Sequence, residues 1–346
     1  MTGTVSAPPV RGRMRGVSSD DGHSRAGWPH EVHPTGWFQV AWSAELPVAG
    51  VLPVRYFGAD LVLFRQRNGA PRLLDAHCPH LGAHLGEGGW VEGDDIVCPF
   101  HGWRWSGEGR NTAIPYSARP NRGQRLRCWE LREFDGIIAA WYDSAGRGPR
   151  WEPVTLSDIV EGFDPAAYYP VHPGCSRLWD DVRVRPQWVV ENIVDVAHFQ
   201  YVHSARAITT ITDHHTDGPR FFVDHTFDSN RGAGLRIQTC GLGLMYGVFG
   251  NDSTITHIEL QASTPIDGDR SDLRDSVWLR RDPDSPDEPG PKQRVALDRQ
   301  LAELGRDLRI WANMVYRPRA PLTPEESGPY RALRRWAEQF YPEGPA

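Results

Sequence analysis

The chain has 346 residues, of which 39% are hydrophobic and 24% are charged, and its formal net charge at pH 7 is −6. This length is enough for two ordinary domains, and the composition is that of a globular protein. The charges form no basic stripe typical of nucleic-acid binding, and no apolar run approaches the roughly 20 residues of a membrane span.

Residues 1–27 are rich in Ser, Gly, Pro, Arg and Asp and lack the apolar core of a signal peptide, so we predict a disordered leader. Of the five cysteines, Cys128, Cys175 and Cys240 are isolated, and we expect them to be buried free thiols. Unpaired cysteines are typical of a reducing compartment, and we therefore predict a cytoplasmic protein.

Short apolar runs separated by turn residues follow, and they predict an all-β domain over residues 34–146. Turn signals such as Asn68-Gly69 lie between the runs. The predicted strands are Trp37–Trp42, Val54–Tyr56, Leu61–Arg65, Arg72–Leu74, Trp90–Val91, Ile96–Cys98 and Ile137–Trp141.

A Gly- and Pro-rich linker, Ser144–Pro153, leads into a mixed region, so we predict a second domain over residues 147–346. Its strand-like runs are followed by helical ones, which predicts an α+β fold. We expect helices at Pro186–His203, Lys292–Val315 and Gly328–Tyr341, strands at Arg220–Phe227, Leu235–Thr239, Gly243–Phe249 and Thr254–Ala262, and a loop at Asp282–Pro291.

The strongest local motif is Cys78-Pro79-His80, followed after 17 residues by Cys98-Pro99-Phe100-His101. Each tight loop offers one thiolate and one imidazole, which is the ligand set of a Rieske [2Fe–2S] cluster. A structural zinc site could use the same ligand types, but zinc fingers group their cysteines together and their histidines together. The pattern therefore favours the cluster.

A second motif, Asp195, His198 and His203, lies beyond the point where a ferredoxin would end. Two histidines and one carboxylate form the facial triad that leaves positions on Fe(II) open for O₂. Five residues of ideal helix place two side chains about 140° apart, so both histidines can face one metal only if the helix distorts or ends between them. Asp195 is placed to bond an imidazole N–H. Alone, the pattern is weak, because histidines in a helix are more often ordinary surface residues.

The third ligand must come from elsewhere, and the last long helix offers Asp298, Glu303 and Asp307. Asp307 has Ile310, Trp311 and Met314 as helical neighbours, and a lone carboxylate on an apolar face is costly unless it is paired or binds metal. Asp307 is our prediction and Glu303 the alternative; an ion-paired core Asp is the other interpretation of Asp307.

Both motifs in one chain resemble the oxygenase α-subunits of Rieske non-haem iron oxygenases, above all the 3-ketosteroid 9α-hydroxylase oxygenase component and the cholesterol 7-desaturases. The resemblance spans most of residues 34–342, discontinuously, and it is weak over about 205–290. Besides the metal motifs, it is carried by Gly36-Trp37, Tyr56-Phe57-Gly58, Leu74-Asp75-Ala76, Gly88-Gly89, Ile114-Pro115-Tyr116, Asp307 to Trp311, Gly328-Pro329-Tyr330, Arg335-Trp336 and Gln339-Phe340-Tyr341. Respiratory Rieske proteins have an extra cysteine on each loop, where this chain has Ala83 and Phe100.

The resemblance implies which residues hold the metals. It assigns Cys78, His80, Cys98 and His101 to the cluster and His198, His203 and Asp307 to the mononuclear iron. It makes Asp195 the bridge between the two centres across subunits of a head-to-tail homotrimer. It also implies a helix-grip (START-like) catalytic domain, with an antiparallel sheet around a long helix.

The predicted function is O₂-dependent oxidation of a C–H bond, by monooxygenation or desaturation, in a hydrophobic polycyclic, steroid-like substrate. The resemblance implies that electrons come from NAD(P)H through a separate flavin-dependent reductase, directly or by way of a ferredoxin. One alternative is a natural-product tailoring oxygenase that hydroxylates, demethylates or cyclises an aromatic or alkaloid scaffold. Another, from a different class, is a non-catalytic Rieske electron carrier.

Overall fold

The protein is described here from a computed structural model, which covers residues 28–205, 208–227, 234–251 and 254–342. The predicted leader, residues 1–27, lies outside the described residues. Within them, no helix is long and apolar enough to cross a membrane.

The N-terminal half consists of short antiparallel strands in three sheets, with the orders β1-β11-β10, β2-β3-β4-β9 and β5-β6-β7-β8. The predicted strands are all present to within three residues at either end, and four strands of two to four residues between Arg104 and Phe134 were missed because they are too short to show a period. In chain order the strands are β1 (Gly36–Trp42), β2 (Val51–Tyr56), β3 (Ala59–Arg65), β4 (Pro71–Asp75), β5 (Trp90–Glu92), β6 (Asp95–Val97), β7 (Arg104–Trp105), β8 (Asn111–Ala113), β9 (Cys128–Trp129), β10 (Leu131–Phe134) and β11 (Ile137–Tyr142), with a 3₁₀ turn at Ser43–Glu45.

Strand β3 shows why the sequence of this half contains continuous apolar runs. Leu61 and Leu63 pack into one core with Trp129, whereas Val62 and Phe64 pack into a second core. Successive side chains of a strand point to opposite faces, so a strand buried on both faces needs apolar residues at every position. The second core includes Cys78 and Cys98, so the two predicted cluster loops pack against it.

The C-terminal half contains one seven-stranded antiparallel sheet of order β12-β18-β17-β16-β15-β14-β13. The sheet with its few helices confirms the predicted α+β fold, in which an all-β half precedes a mixed half. Its strands are β12 (Ser176–Arg183), β13 (Thr210–Asp217), β14 (Arg220–Thr226), β15 (Gly234–Cys240), β16 (Leu244–Asn251), β17 (Thr254–Asp267) and β18 (Arg270–Leu279). The helices are α1 (Leu156–Ile159), α2 (Pro186–Glu191), α3 (His198–Tyr201), α4 (Pro291–Trp311) and α5 (Pro324–Ala337), with 3₁₀ turns at Pro165–Ala167, Asn192–Val194 and Glu338–Phe340.

Helix α4 packs against one face of this sheet, which we call the inner face. Its Leu304 belongs to the same core as Ile237 and Met245, and its Leu297 and Leu301 pack against Val277 of β18. Pro291 at the first helical position starts α4 in the usual way, since the missing N–H is one of the unpaired donors of a helix start.

Helix α5 begins four residues before the predicted start at Gly328. Pro324 occupies its first turn and Thr323 forms a capping box with Glu326, so the start signal is in the sequence. Pro329 lies inside the helix, one residue after the predicted start. A further expectation was wrong at Cys128, which is an exposed thiol, whereas Cys175 and Cys240 are buried and free as predicted.

The two halves meet through buried polar contacts. The Trp42 indole N–H donates to Ser276 Oγ at 2.8 Å, and the Tyr56 hydroxyl donates to Asp272 Oδ2 at 2.8 Å. Arg274 in turn donates to the Tyr56 hydroxyl at 2.7 Å. Satisfied buried networks of this kind fix one arrangement of the packed elements.

Candidate metal centres

The two cluster loops have the same backbone hydrogen bonds. In the first loop, the Cys78 N–H donates to Ala83 O at 2.9 Å and the Gly82 N–H donates to Cys78 O at 2.9 Å. In the second, the Cys98 N–H donates to Trp103 O at 2.8 Å and the Gly102 N–H donates to Cys98 O at 3.0 Å. Gly82 and Gly102 both have positive φ, which glycine adopts without strain.

The shared loop geometry brings the four predicted cluster ligands into two pairs, one of cysteines and one of histidines. The Cys78 and Cys98 thiols are neighbours and are buried, and burial raises the pKa of Cys78. The His80 and His101 ring centroids lie 4.7 Å apart. His101 Nδ1 is buried and has no hydrogen-bond partner among the described residues. A ring nitrogen left unpaired in this way is suited to bind a metal, because its lone pair is otherwise unsatisfied.

Trp103 orients one of these imidazoles, a role that sequence reasoning did not assign. Its ring stacks on His80 with centroids 4.5 Å apart and an angle of 8° between the planes. Its indole N–H donates to the Tyr116 hydroxyl at 2.7 Å, which fixes the plane of the ring. The aromatic residue directly after Gly102 was the available signal.

The segment predicted as one helix over Pro186–His203 is broken, and the single-helix prediction is wrong. Helix α2 ends at Glu191, a 3₁₀ turn follows, and Asp195 has the non-helical backbone angles φ −88° and ψ 91°. Helix α3 then ends at Tyr201, between the two histidines. The expectation that the helix must distort or end there is confirmed, because their side chains meet.

His198, His203 and Asp307 form a compact group in which one ligand atom of each lies within 4.8 Å of the others. His203 Nε2 is 3.2 Å from Asp307 Oδ2. Asp307 is 4% exposed and His198 is 9% exposed, so the group is largely screened from water. Two imidazoles and one carboxylate in this arrangement are the donor set that suits Fe(II).

The Nδ1 atoms of both histidines are bonded elsewhere, which makes the Nε2 atoms the candidate metal ligands. His198 Nδ1 contacts the backbone carbonyl of Asp195 in a short hydrogen bond. His203 Nδ1 donates to Glu303 Oε2 at 2.7 Å. A hydrogen bond at one ring nitrogen selects the tautomer whose other nitrogen can ligate a metal.

Glu303 therefore bonds the Nδ1 side of His203, and it does not take the place of Asp307 as the third ligand. Its Oε2 also forms an ion pair with Arg306 at 2.9 Å. Asp298 is exposed, as expected. The apolar face expected around Asp307 is present only in part, because Trp311 is buried whereas Ile310 is 47% and Met314 is 38% exposed.

Asp195 differs from its predicted contact. Its carboxylate Oδ1 accepts hydrogen bonds from the backbone N–H groups of Ala197 and His198, both at 3.2 Å, and only its backbone carbonyl contacts the imidazole. Asp195 thus caps the start of α3. Asn192, which sequence reasoning did not assign a role, places its Nδ2 atom 3.0 Å from His198 Nε2.

The protonation of the two histidines differs. Burial lowers the pKa of His198, so this imidazole is neutral at pH 7, the form that binds metal. Burial also opposes protonation of His203, but its bonds to Asp307 and Glu303 raise its pKa above the ordinary value. The carboxylates around His203 therefore favour a positive charge at this position, whether from a proton or from a metal ion.

Two family models match the chain. Residues 36–134 match the Rieske [2Fe–2S] domain, and residues 140–341 match the 3-ketosteroid 9α-hydroxylase C-terminal domain. The chain belongs to the Rieske oxygenases of the 3-ketosteroid 9α-hydroxylase family. It is an oxidoreductase that uses a Rieske [2Fe–2S] cluster, a mononuclear iron and O₂, as the sequence predicted.

Curated relatives agree with this assignment. The chain is 32% identical over 307 residues to a 3-ketosteroid-9-alpha-monooxygenase oxygenase component of Rhodococcus rhodochrous, which covers 83% of this chain and 76% of that protein. It is 28% identical over 338 residues to the cholesterol 7-desaturase of Drosophila melanogaster, which covers 89% of this chain and 75% of that protein.

Solved structures share the fold. Dicamba monooxygenase bound to dicamba aligns with a TM-score of 0.69 at 18% identity, over 88% of this chain and 96% of that chain. NdmA of Pseudomonas putida, crystallised as a mutant with caffeine, aligns with a TM-score of 0.63 at 17% identity, over 88% of this chain and 89% of that chain.

Proposed function

We propose that this protein oxidises a C–H bond of a hydrophobic, steroid-like substrate, with electrons that a separate reductase delivers to the cluster. The observation that carries the proposal is the buried group of His198, His203 and Asp307 in the same chain as the two cluster loops. An electron carrier needs no second metal centre. The names of the relatives, a ketosteroid monooxygenase and a cholesterol desaturase, support a steroid-like substrate.

In this proposal, Cys78 and Cys98 hold one iron of the cluster, and His80 and His101 hold the other. His198, His203 and Asp307 hold the mononuclear iron, which supplies activation of O₂ when bound. The protein positions these groups. Trp103 holds the ring plane of His80, the Asp195 carbonyl holds His198, and Glu303 holds His203.

Exposed apolar side chains support a further part of the proposal, that other proteins cover both metal centres. On the cluster loops, Leu81 is 66% and Phe100 is 61% exposed. Near the triad, Tyr201 is 80% exposed, and the exposed Ile310 and Met314 follow Asp307. Clustered apolar exposure is typical of contact surfaces, and two different patches can join head to tail and close a ring.

We therefore propose a homotrimer in which the cluster-loop patch of one subunit packs against the triad patch of the next, with Asp195 as the bridge for electrons. Analytical ultracentrifugation tests the assembly. We expect a trimer for the wild-type protein and dissociation in the double variant Leu81→Glu, Phe100→Glu, with Val48→Glu, also exposed, as a control that stays trimeric. A monomeric wild-type protein contradicts this part. A flavin-dependent reductase, with or without a ferredoxin, and a cytoplasmic location stay predictions.

Anaerobic purification with iron and sulfide analysis tests the centres. We expect about three irons and two sulfides per chain and, after dithionite reduction, a rhombic EPR signal averaging below about g = 2. The holoenzyme with a reductase and NAD(P)H is then screened on steroids, with oxygenated or desaturated products identified by mass spectrometry. His198→Ala should abolish turnover and keep the EPR signal. Full activity of this variant contradicts the proposal and favours an electron carrier.

A further inference from the structure

A pair of buried acids lies on the inner face of the catalytic sheet. Glu259 belongs to β17 and Asp275 to the adjacent strand β18, where it is paired with Gln261. Glu259 is 4% exposed and Asp275 is fully buried. Gln300 of α4 donates to Glu259 Oε2 at 2.8 Å, which shows that the pair faces the helix. Gln261 donates to the other oxygen, Oε1, at 3.1 Å.

The two carboxyls differ in how well they are satisfied. Both oxygens of Glu259 accept an amide hydrogen bond. Neither oxygen of Asp275 has a well-formed hydrogen bond among the described residues, although the Glu259 carboxyl and the Ser276 backbone N–H are close by. An unsatisfied buried polar group costs about 1–3 kcal/mol, so a fold that tolerates one usually has a use for it.

At most one of the two acids is ionised. Burial and the neighbouring Glu259 raise the pKa of Asp275 well above its ordinary range, and burial raises that of Glu259 as well. Two adjacent carboxylates in an apolar layer cannot both be charged, so the pair keeps a proton. Asp275 is the neutral partner at pH 7, because both oxygens of Glu259 accept amide hydrogen bonds whereas among the described donors only the Ser276 backbone N–H lies near Asp275.

The acid pair and the triad both contact the side of α4 that carries Gln300, Glu303 and Asp307. Gln300, Glu303 and Asp307 are spaced i, i+3 and i+7, and residues at this spacing share one side of a helix. Seven residues at 1.5 Å each place Gln300 about 10 Å along α4 from Asp307.

We propose that Asp275, backed by Glu259, forms a polar subsite that binds a hydroxyl group of the substrate at the end remote from the iron. The inference rests on the proposed function, and it narrows the substrate class to steroid-like alcohols. A hydroxyl both donates to the unpaired oxygen of Asp275 and accepts from the proton of the pair, whereas a ketone can only accept. Because Asp275 has no exposed surface, the ligand displaces neighbouring side chains to reach it.

Equilibrium binding to the anaerobic holoenzyme, measured by calorimetry, tests this subsite. The probes are a steroid with a hydroxyl at carbon 3 and its 3-keto and 3-deoxy analogues. We expect the wild-type protein to bind the alcohol about tenfold more tightly than the deoxy analogue, as one net hydrogen bond implies. The keto analogue should fall between them. Asp275→Leu should bind the alcohol and the deoxy analogue equally.

Two controls keep the result interpretable. Asp143→Asn changes another buried acid, in the Rieske half, and should keep the wild-type preference. Asp275→Leu replaces an unsatisfied polar group by an apolar one of similar size, and thermal unfolding checks that it folds. Should Asp275→Leu not fold, the isosteric Asp275→Asn replaces it and should lose part of the preference.

The outcomes separate this inference from the proposed function. If steroids bind but Asp275→Leu keeps the hydroxyl preference, the subsite is overturned and the steroid proposal stands. If steroids do not bind, the same comparison is made with polycyclic aromatic alcohols and their deoxy partners. A preference there that depends on Asp275 supports the subsite and overturns the steroid proposal. No hydroxyl preference on any scaffold overturns the subsite.

Discussion

The two candidate metal centres are built in different ways. In the Rieske half, two loops with the same backbone hydrogen bonds each contribute one cysteine and one histidine, and a core of buried side chains supports both. In the catalytic half, His203 comes from the end of a broken helix, and its carboxylate neighbour Glu303 lies 100 residues later on α4. The first site depends on local loop geometry, whereas the second depends on how α4 packs against the sheet.

The difference implies that either centre can be removed while the other stays. The two cluster loops are closed by backbone hydrogen bonds within each loop. The triad residues are held by side-chain contacts between elements that are distant in the sequence. The centres belong to different cores, and distant sites with no shared partners usually respond independently to mutation. Variants at each centre test this independence directly.

The largest expected effect is that of Cys98→Ser. Loss of one of the two thiolates should prevent cluster assembly, so acid-labile sulfide and the EPR signal should vanish and turnover should fall below detection. The exposed Cys128 gives a matched control, Cys128→Ser, which should keep both cluster and turnover. About one iron should remain in Cys98→Ser, at the triad. Retention of two sulfides would show that Cys98 is not a ligand.

Asp307→Ala should produce the reverse pattern. The iron content should fall from about three to about two per chain with sulfide unchanged, and turnover should fall at least a hundredfold, because two imidazoles alone hold Fe(II) weakly. Asp298→Ala, an exposed site on the same helix, is the control and should behave as wild type. If Asp307→Ala keeps three irons, the third ligand is another residue.

Glu303→Gln should have an intermediate effect. A carboxylate behind a metal-bound histidine fixes the ring and raises its basicity, and its loss typically weakens metal binding 10- to 100-fold. Gln keeps an acceptor for the Nδ1–H of His203, so Glu303→Ala should be weaker still. Competition with an iron chelator measures the affinity. If both variants bind iron as tightly as the wild-type protein does, Glu303 serves only its ion pair with Arg306.

The same contrast explains what could be predicted from the sequence. The cluster ligands lie in two short motifs, so their types and spacing sufficed. The triad needed a tertiary contact, and apart from the family resemblance only the burial argument favoured Asp307. That argument was right for Asp307 and Trp311 and wrong for Ile310 and Met314, which are exposed. Periodicity shows which residues share a helical face but not which part of that face another element covers.

Strands were missed where their polar residues hid the pattern. The edge strands β12 and β13 contain no buried residue and so show no alternation. The inner strand β18 carries the buried ionisable residues Arg274 and Asp275 among its apolar residues, which hid its alternation as well. Buried ionisable residues are rare in a strand, and a sequence gives no direct sign of them. Strand β18, which was not predicted from the sequence, thus carries Asp275, the residue for which a ligand is proposed.

The smallest expected effect compares a buried acid from each half. Asp275 in the folded protein has a pKa above its unfolded value, so the folded state keeps a proton that the unfolded state releases. Wild-type stability therefore falls as the pH rises from about 4 towards the folded pKa, by up to about 1.4 kcal/mol for each pH unit. Asp275→Asn does not titrate, so its unfolding free energy relative to wild type should increase from pH 4 to pH 8.

Asp143 should show the opposite sign. Burial opposes its ionisation, but hydrogen bonds from Arg147 and the Ala145 backbone hold its pKa below the ordinary value. Its contribution to stability is present above the unfolded pKa and is lost as the pH falls through the folded one. Asp143→Asn should therefore be destabilised relative to wild type at pH 8 and less so at pH 3. Urea titrations at several pH values measure both series. Parallel pH dependence of the two variants would contradict the assignment of Asp275 as a neutral, unsatisfied acid, because a charged and well-paired carboxylate behaves as Asp143 does.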